Sequence, residues 1–353
     1  VEVEFKRFDS LEAVPLDATS WNQLVGRADV GSVFQCHSWI HSWWQHFGSA
    51  YELCFVCALE KNQVIAFAPM MIDNSRTLRF IGDSNSDYLG FVIPEDRQDL
   101  TAEFLGALRD LSGNWNTAHL RNIPHDSNLS HSIMGTSYAE KLYPWLNYTE
   151  TAPFLRISGN EDGVGALLNK YSIRRSIRQI EAQGTVQFVE LRNTTDAEPF
   201  WRSFSEQHKN RSAEQGRESP FSDPAYLEFL RATFETDREN DHVHFSAVLL
   251  NDQPIAFHYG FVSQNRILWY KPSLDTNIRK GSPGVVLICA LIQSAVDNGY
   301  GELDFTIGDE PFKDRFCSDK RTVHSYRIYR SRIAYVTEKY YWLLRNLVKR
   351  IVK

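Results

Sequence analysis

Little in this sequence supports a disulfide framework. Its 353 residues hold five cysteines, at positions 36, 54, 57, 289 and 317, and an odd, irregularly spaced set suits a reducing compartment. Cys54 and Cys57 lie on a segment that reads as a buried strand, where residues three apart face opposite sides, so no paired-thiol metal or redox site is expected. His37 and His41 share a helix face at a metal-compatible spacing, but no third ligand follows and Trp39, Trp43 and Trp44 surround them. Packing is expected there, and no metal. The chain also lacks the run of about 18 apolar residues that a membrane helix needs, and no signal-peptide pattern opens it. A cytoplasmic protein is expected, in which the Asn-x-Ser/Thr matches at Asn128, Asn147 and Asn193 are chance. Excess positive charge is missing too. Against 44 Asp and Glu stand 38 Lys and Arg, a net charge of -6, which argues against a generic nucleic-acid surface and leaves room for a local basic patch.

What is present is an ordinary globular composition, 42% apolar and 23% charged, with material for about two cores of roughly 150 residues. Residues 53–70 and 243–260 repeat one hairpin at a constant 190-residue offset, the step from Ile65 to Ile255: Phe55 meets Phe245, Leu59 meets Leu249, Gln63 meets Gln253, and Ile65-Ala66-Phe67 meets Ile255-Ala256-Phe257. Convergence of two hairpins on one apolar pattern is the bland alternative; a register held across two turns favours duplication. Periodicity predicts helices over 38–47, 100–111, 164–183, 198–210, 224–235 and 285–298. It predicts strands over 53–59, 64–72, 77–81, 117–120, 245–250, 255–262, 267–271 and 303–306. The expected class is α/β (α+β): two similar halves, 1–150 and 151–330, each a mostly antiparallel central sheet flanked by helices. An amphipathic helix follows over 331–353, with Lys339, Arg345, Lys349, Arg350 and Lys353 among its aromatics. Such a helix either docks on the folded body or lies on a membrane surface.

The most informative stretch runs from Trp269-Tyr270-Lys271-Pro272 through Gly281-Ser282-Pro283-Gly284 into an apolar helix, and closes with Asp304-Phe305-Thr306-Ile307-Gly308-Asp309-Glu310-Pro311-Phe312-Lys313. A strand leads by a Gly/Pro turn into a helix whose N-terminus offers backbone N–H groups, and a second strand delivers acidic and basic groups to the same edge. Ser282 is a good N-cap and Pro283 suits the first helical position. With Lys271, Arg279 and Lys280 nearby, residues 281–284 are candidates for phosphate binding, set against a plainly capped helix. Lys170, Arg174, Arg175 and Arg178 form a basic helix stretch with Arg174 and Arg178 on one face. It is either a solvated face or a phosphate-binding patch.

Phe34-Gln35 with Trp39, Trp43 and Trp44, then Gly82-Asp83 and Ser86-Asp87-Tyr88, the basic helix 172–178, His208–Arg211 with 219–224, Ser282-Pro283-Gly284, and 304–313 form an ordered set. Together they resemble the FemAB-like and CelD-like branch of the GNAT acyltransferase superfamily, in which two GNAT-type domains are fused in tandem. The resemblance spans about residues 30–316 and implies transfer of an acyl group from acetyl-CoA or another acyl-CoA to an amine or hydroxyl on a sugar or cell-envelope precursor. The family's usual pyrophosphate loop, Arg/Gln-x-x-Gly-x-Gly/Ala, is absent, since Arg279-Lys280-Gly281-Ser282-Pro283-Gly284 is spaced differently. Two other readings therefore stay open: aminoacyl transfer from a charged tRNA, as in the Fem enzymes, and a non-catalytic protein binding a partner in polysaccharide synthesis.

Amide formation from a thioester needs a base for the amine proton. Asp87, His208 and Glu310 are the candidates, each set against a bland role as turn former, helix-end cation or solvated acid. The donor contacts are expected at Lys271, Arg279, Lys280, Gly281, Ser282 and Gly284. Acceptor contacts are expected at Tyr88, Arg174, Arg175, Arg178, Arg211, Tyr270 and Lys313, since a guanidinium clamps phosphate or carboxylate.

Overall fold

In the computed structural model, described over residues 2–113, 115–135, 141–237 and 242–351, the chain divides into two compact units: residues 1–150 with 322–353, and residues 151–321. The sequence cut at 330 thus differs from the structural one. The last strand from Thr322 onward, and the helix after it, belong with the first unit.

The first unit carries β1 (Glu4–Phe8), α1 (Ala18–Arg27), α2 (His37–Phe47), β2 (Glu52–Glu60), β3 (Gln63–Ile72), β4 (Thr77–Phe80), α3 (Leu100–Leu111), β5 (Thr117–Pro124) and α4 (Asn128–Gly135). β6 (Tyr143–Arg156) begins in it and ends in the second unit. There follow α5 (Glu161–Leu168), α6 (Tyr171–Glu181), β7 (Val186–Glu190), α7 (Thr194–Ala197), α8 (Trp201–Glu214), α9 (Pro224–Thr236), β8 (Val243–Leu250), β9 (Gln253–Ser263), β10 (Arg266–Leu274), α10 (Pro283–Asp297) and β11 (Glu302–Asp304). β12 (Asp319–Tyr329) and α11 (Arg332–Ile351) close the chain.

Strand order in the first unit is β1-β2-β3-β4-β5-β12, and in the second β7-β8-β9-β10-β11-β6. Each runs antiparallel through its first four strands, then pairs the fourth parallel to the fifth, β4 to β5 and β10 to β11. The repeat seen in sequence is therefore structural. The β2–β3 hairpin turns on Lys61 and Asn62, both at positive φ, and β8–β9 on Asn251 and Asp252, also both positive, as two-residue turns matched to strand twist require. Even the bulges coincide, between Ala58 and Leu59 and between Val248 and Leu249.

The predicted helix over 164–183 is two helices. Lys170 takes an extended conformation (ψ 133°) between them, and Asn169 folds its side chain onto the Gly165 carbonyl at 2.9 Å, ending α5. The parallel pairing of β10 and β11 demands a crossover, which α10 supplies. Its Leu287, Leu291 and Ile292 are fully buried with Ile267, Leu303 and Ile180 in the core of the second unit. The start of α10 therefore sits beyond the carboxyl end of β10, where α/β folds place ligands.

In the first unit, Tyr335 of α11 packs on Tyr143, Trp145 and Tyr329, and Trp342 lies 6.3 Å from Trp145. Tyr340, Tyr341 and Leu344 remain exposed. No helix among the described residues is long and apolar enough to cross a membrane. The basic positions Arg345, Lys349, Arg350 and Lys353 named for a membrane face lie outside the described side chains.

Candidate active site

The second unit concentrates the candidate chemistry. Ser282 caps α10, its hydroxyl accepting from the Val285 N–H, and Pro283 occupies the first turn. A narrow pocket of about 130 Å³ opens there, lined by Trp269, Pro272, Leu274, Gly284 and Phe312 and by the two cations Arg211 and Arg315. A broader pocket of about 430 Å³ adjoins it on the α6 side, sharing Ser282, Val285 and Arg315. A Cβ on Gly284 would come within 3.0 Å of Leu274 in the narrow pocket's wall. Gly281 is constrained harder: its φ is +83°, and a Cβ would meet the Ser176 carbonyl at 2.9 Å and Ile180 at 2.8 Å. It is glycine so that the loop can touch α6.

Arg211, Arg315 and Arg175 have no carboxylate within 4 Å among the described residues. Burial and the neighbouring Arg217 both lower the Arg211 pKa. A partly buried guanidinium without an anion is an unfavourable arrangement that a bound anion relieves. The other basic candidates are placed differently. Lys271 holds its ammonium 4.2 Å over the Tyr270 ring, while Arg279, Lys280, Arg174 and Arg178 are exposed and line neither pocket. The cations at the cradle are thus Arg315 and Arg211 rather than the Arg279-Lys280 pair. Arg315 gave no signal in sequence, because it follows the closing motif inside a short helical turn.

His208 projects from α8 one turn before Arg211. Its Nδ1 lies 2.9 Å from Ser219 Oγ and 3.4 Å from Ser212 Oγ, and its ring packs against Phe221. Burial first, then the charges of Lys271, Arg211 and Arg217, push its pKa down to about 4, so the imidazole is neutral at ordinary pH. Tyr270 is buried, with its hydroxyl 3.1 Å from that of Tyr226. Tyr226 escaped sequence reading because its position on α9 looks like any core aromatic.

Glu310 and Lys313 are joined at 2.8 Å. Lys313 is only 3% exposed and its ammonium also reaches the carbonyls of Thr306, Ile307 and Gly308. The expectation of a substrate contact at Lys313 is corrected: its donors are spent inside the protein, holding the turn after β11. That turn is strained at Thr306, a β-branched residue at φ +55°, pinned by Asp304 accepting from its N–H at 2.8 Å and by its own hydroxyl donating to the Trp269 carbonyl at 2.9 Å. Burial alone would raise the Glu310 pKa, but the Lys313 contact outweighs it and holds it low. Lys313→Met should lower the unfolding free energy by roughly 1–3 kcal/mol, the cost of stranding buried acceptors, read by urea titration.

Asp87 and Tyr88 belong to the first unit, on a loop after β4. Trp39 and Trp43 hold that loop, donating to Ser86 Oγ at 3.1 Å and Asn85 Oδ1 at 2.9 Å, and Tyr88 is buried. The counterpart of α10 in this unit is α3, and Glu95, Asp96, Asp99 and Glu103 cluster at its start. Those charges repel an anion where the second unit attracts one. His37 and His41 stack at 3.8 Å against Trp21, and burial foremost lowers both pKa values, that of His41 to about 4. Cys54 and Cys57 are buried in β2, and burial pushes the Cys54 thiol up to about 11. No metal-holding group of three is present among the described residues.

Residues 169–314 match the family model described as Acetyltransferase (GNAT) domain. No curated protein matches the sequence. Solved structures share the fold over nearly the whole chain. FemX is similar at TM-score 0.63 and 10% identity, covering 89% of this chain and 96% of its own. The C-terminal domain of a putative lysylphosphatidylglycerol synthetase from Agrobacterium fabrum is similar at TM-score 0.55 and 13% identity, covering 90% and 94%. A tandem GNAT protein from the clavulanic acid biosynthesis pathway is similar at TM-score 0.51 and 10% identity, covering 94% and 99%.

Proposed function

We propose that the chain is a FemAB-like GNAT acyltransferase that transfers an acyl group from acyl-CoA to an amine or hydroxyl on a sugar or precursor of a cell-envelope polymer; the GNAT-domain match over residues 169–314 and the fold shared with FemX and a tandem GNAT protein support the reading. The observation that carries the donor assignment is the pair of cations, Arg211 and Arg315, without partners at the capped start of α10, beside a narrow apolar pocket. Backbone N–H groups and guanidiniums there suit a pyrophosphate, and the apolar walls suit the arm that carries the thioester.

In the reaction the acceptor nitrogen or oxygen attacks the thioester carbonyl, the carbon–sulfur bond breaks, and the acceptor's proton must leave. His208 takes that proton. With Nδ1–H donating to Ser219 Oγ, the lone pair stays on Nε2, and the low pKa keeps it available. Lys313 positions the Glu310 turn, and Tyr270 is held by Tyr226. The acceptor class rests on the family resemblance.

Calorimetric titration with acetyl-CoA tests the donor. Wild type should bind, and Gly284→Val, which adds bulk to the pocket lining against Leu274, should weaken binding by about tenfold or more, about 1.4 kcal/mol of lost close approach. Absence of binding by wild type would transfer the proposal to an aminoacyl-tRNA donor. Equal affinity in both proteins would reject the cradle.

A further inference from the structure

We propose that the outer face of α11 docks on a bilayer of anionic lipid, the helix lying in the plane of the interface rather than crossing it. The two faces of α11 have different surroundings. On one, Tyr335 packs on Tyr143 and Trp145, Trp342 lies beside Trp145, and Glu338 pairs with Arg327 at 3.2 Å. The other carries Ile333, Val336, Tyr340 and Leu344, whose spacing of three and then four residues puts them in one row. All four are exposed, Ile333 by 80%, Tyr340 by 63% and Leu344 by 62%. Single apolar side chains in solvent need no explanation, but a contiguous row of them marks an interaction surface. Tyr341, also exposed, widens the row.

Charge selects what covers it. From Arg332 to Ile351 the sequence holds five cations, Arg332, Lys339, Arg345, Lys349 and Arg350, against the one acid Glu338, in a chain whose net charge is -6. That acid is turned inward to Arg327, whereas Arg332 and Lys339 are exposed. A second copy of the chain would bring two cationic segments together, a juxtaposition that costs binding energy. A groove on another protein would grip a single stripe, yet Tyr340 and Tyr341 project about 100° apart round the helix. A headgroup layer accepts tyrosines over a broad arc, because each ring has an apolar body and a polar tip. Apolar insertion together with attraction of lysine and arginine to anionic headgroups is how an amphipathic helix holds to a membrane surface. No helix among the described residues is long and apolar enough to cross the bilayer, so α11 lies along it.

The test is co-sedimentation of the full chain with vesicles of phosphatidylglycerol and phosphatidylcholine in equal parts, and with vesicles of phosphatidylcholine alone. Wild type should bind the mixed vesicles about tenfold or more tightly than the neutral ones, and added salt should weaken that binding. Tyr340→Gln combined with Leu344→Gln, two exposed positions, should lose about tenfold or more on the mixed vesicles while melting as wild type does. No binding to the mixed vesicles, equal binding to both kinds, or undiminished binding by the double variant overturns the proposal. Light scattering covers the rival occupant: a wild-type dimer that the double variant turns into a monomer, without vesicle binding, makes the row a contact between copies and overturns the proposal too. The double variant should bind acetyl-CoA as wild type does, so a failure of the donor assignment shows in that titration and a failure of the lipid surface shows in the vesicles.

Discussion

His208→Gln should lower the acyl-transfer rate by about 10²-fold or more, as expected when a general base is lost, while leaving acetyl-CoA affinity within about twofold. Glutamine keeps the size and a donor for Ser219 but cannot take a proton. The pH dependence carries the sign of the assignment. His208 has its pKa pushed down to about 4 by burial first and by Lys271, Arg211 and Arg217 next, so it stays in its basic form as pH falls past 6.5, and activity should fail only as pH approaches about 4. Stability follows the same displacement. The unfolded chain takes up a proton from about pH 6.5 downward, the folded chain does so only near 4, and the fold therefore loses stability as pH falls through that window. His208→Gln should flatten that slope in urea titrations from pH 6.5 to 4. Two rivals are tested alongside. Asp87→Asn or Glu310→Gln showing the 10²-fold loss, with His208→Gln near wild-type rate, would move the base to the carboxylate concerned.

The repeat was legible in sequence because a two-residue turn with both residues at positive φ tolerates few neighbours, so Lys61-Asn62 and Asn251-Asp252 sit at fixed places between apolar runs. The start of α10 was legible for a similar reason: Ser-Pro-Gly before an apolar run is a local signal of a capped helix. What escaped had no local signal. β6 and β12 carry few alternating apolar residues, and their pairing is decided by strands far away in the chain, Glu302–Asp304 and Thr117–Pro124. The cations were legible as charges but not as partners. Arg279, Lys280 and Arg315 look alike in sequence, and only the path of the chain puts Arg315 at both pockets and leaves the other two exposed. Lys313 misled for the opposite reason: a lysine in the closing motif was expected to contact the acceptor, whereas enclosure by the 306–308 carbonyls makes it a brace.

Gly260→Ala should be the most damaging single-methyl addition in the second unit. Gly260 lies on β9 where the register with β10 breaks between Leu268 and Lys271, so that Trp269 and Tyr270 leave the ladder, and Trp269 lines the narrow pocket. A Cβ there would collide with both His258 Nε2 and the Leu268 carbonyl. Those two atoms are themselves hydrogen-bonded at 3.2 Å, and the fully buried His258 ring stacks on Trp269. Neither can yield alone. Moving the carbonyl shifts β10 at the bulge, and moving the imidazole displaces Trp269 from the wall of the narrow pocket. Overpacking of this kind costs roughly 1–3 kcal/mol, and loss of the His258 bond adds about 1 kcal/mol. Gly165→Ala provides the contrast: it sits inside α5 with nothing within 4 Å of an added methyl, and should stabilise by up to about 1 kcal/mol through helix propensity alone. Thermal melts of the two variants should therefore move in opposite directions. Acetyl-CoA titration should show Gly165→Ala binding as wild type does and Gly260→Ala losing affinity even where it remains folded, because the same backbone kink that the glycine permits also places Trp269 in the wall of the narrow pocket proposed for the donor. Retained affinity in a destabilised Gly260→Ala would separate the kink from the site and leave it a matter of packing.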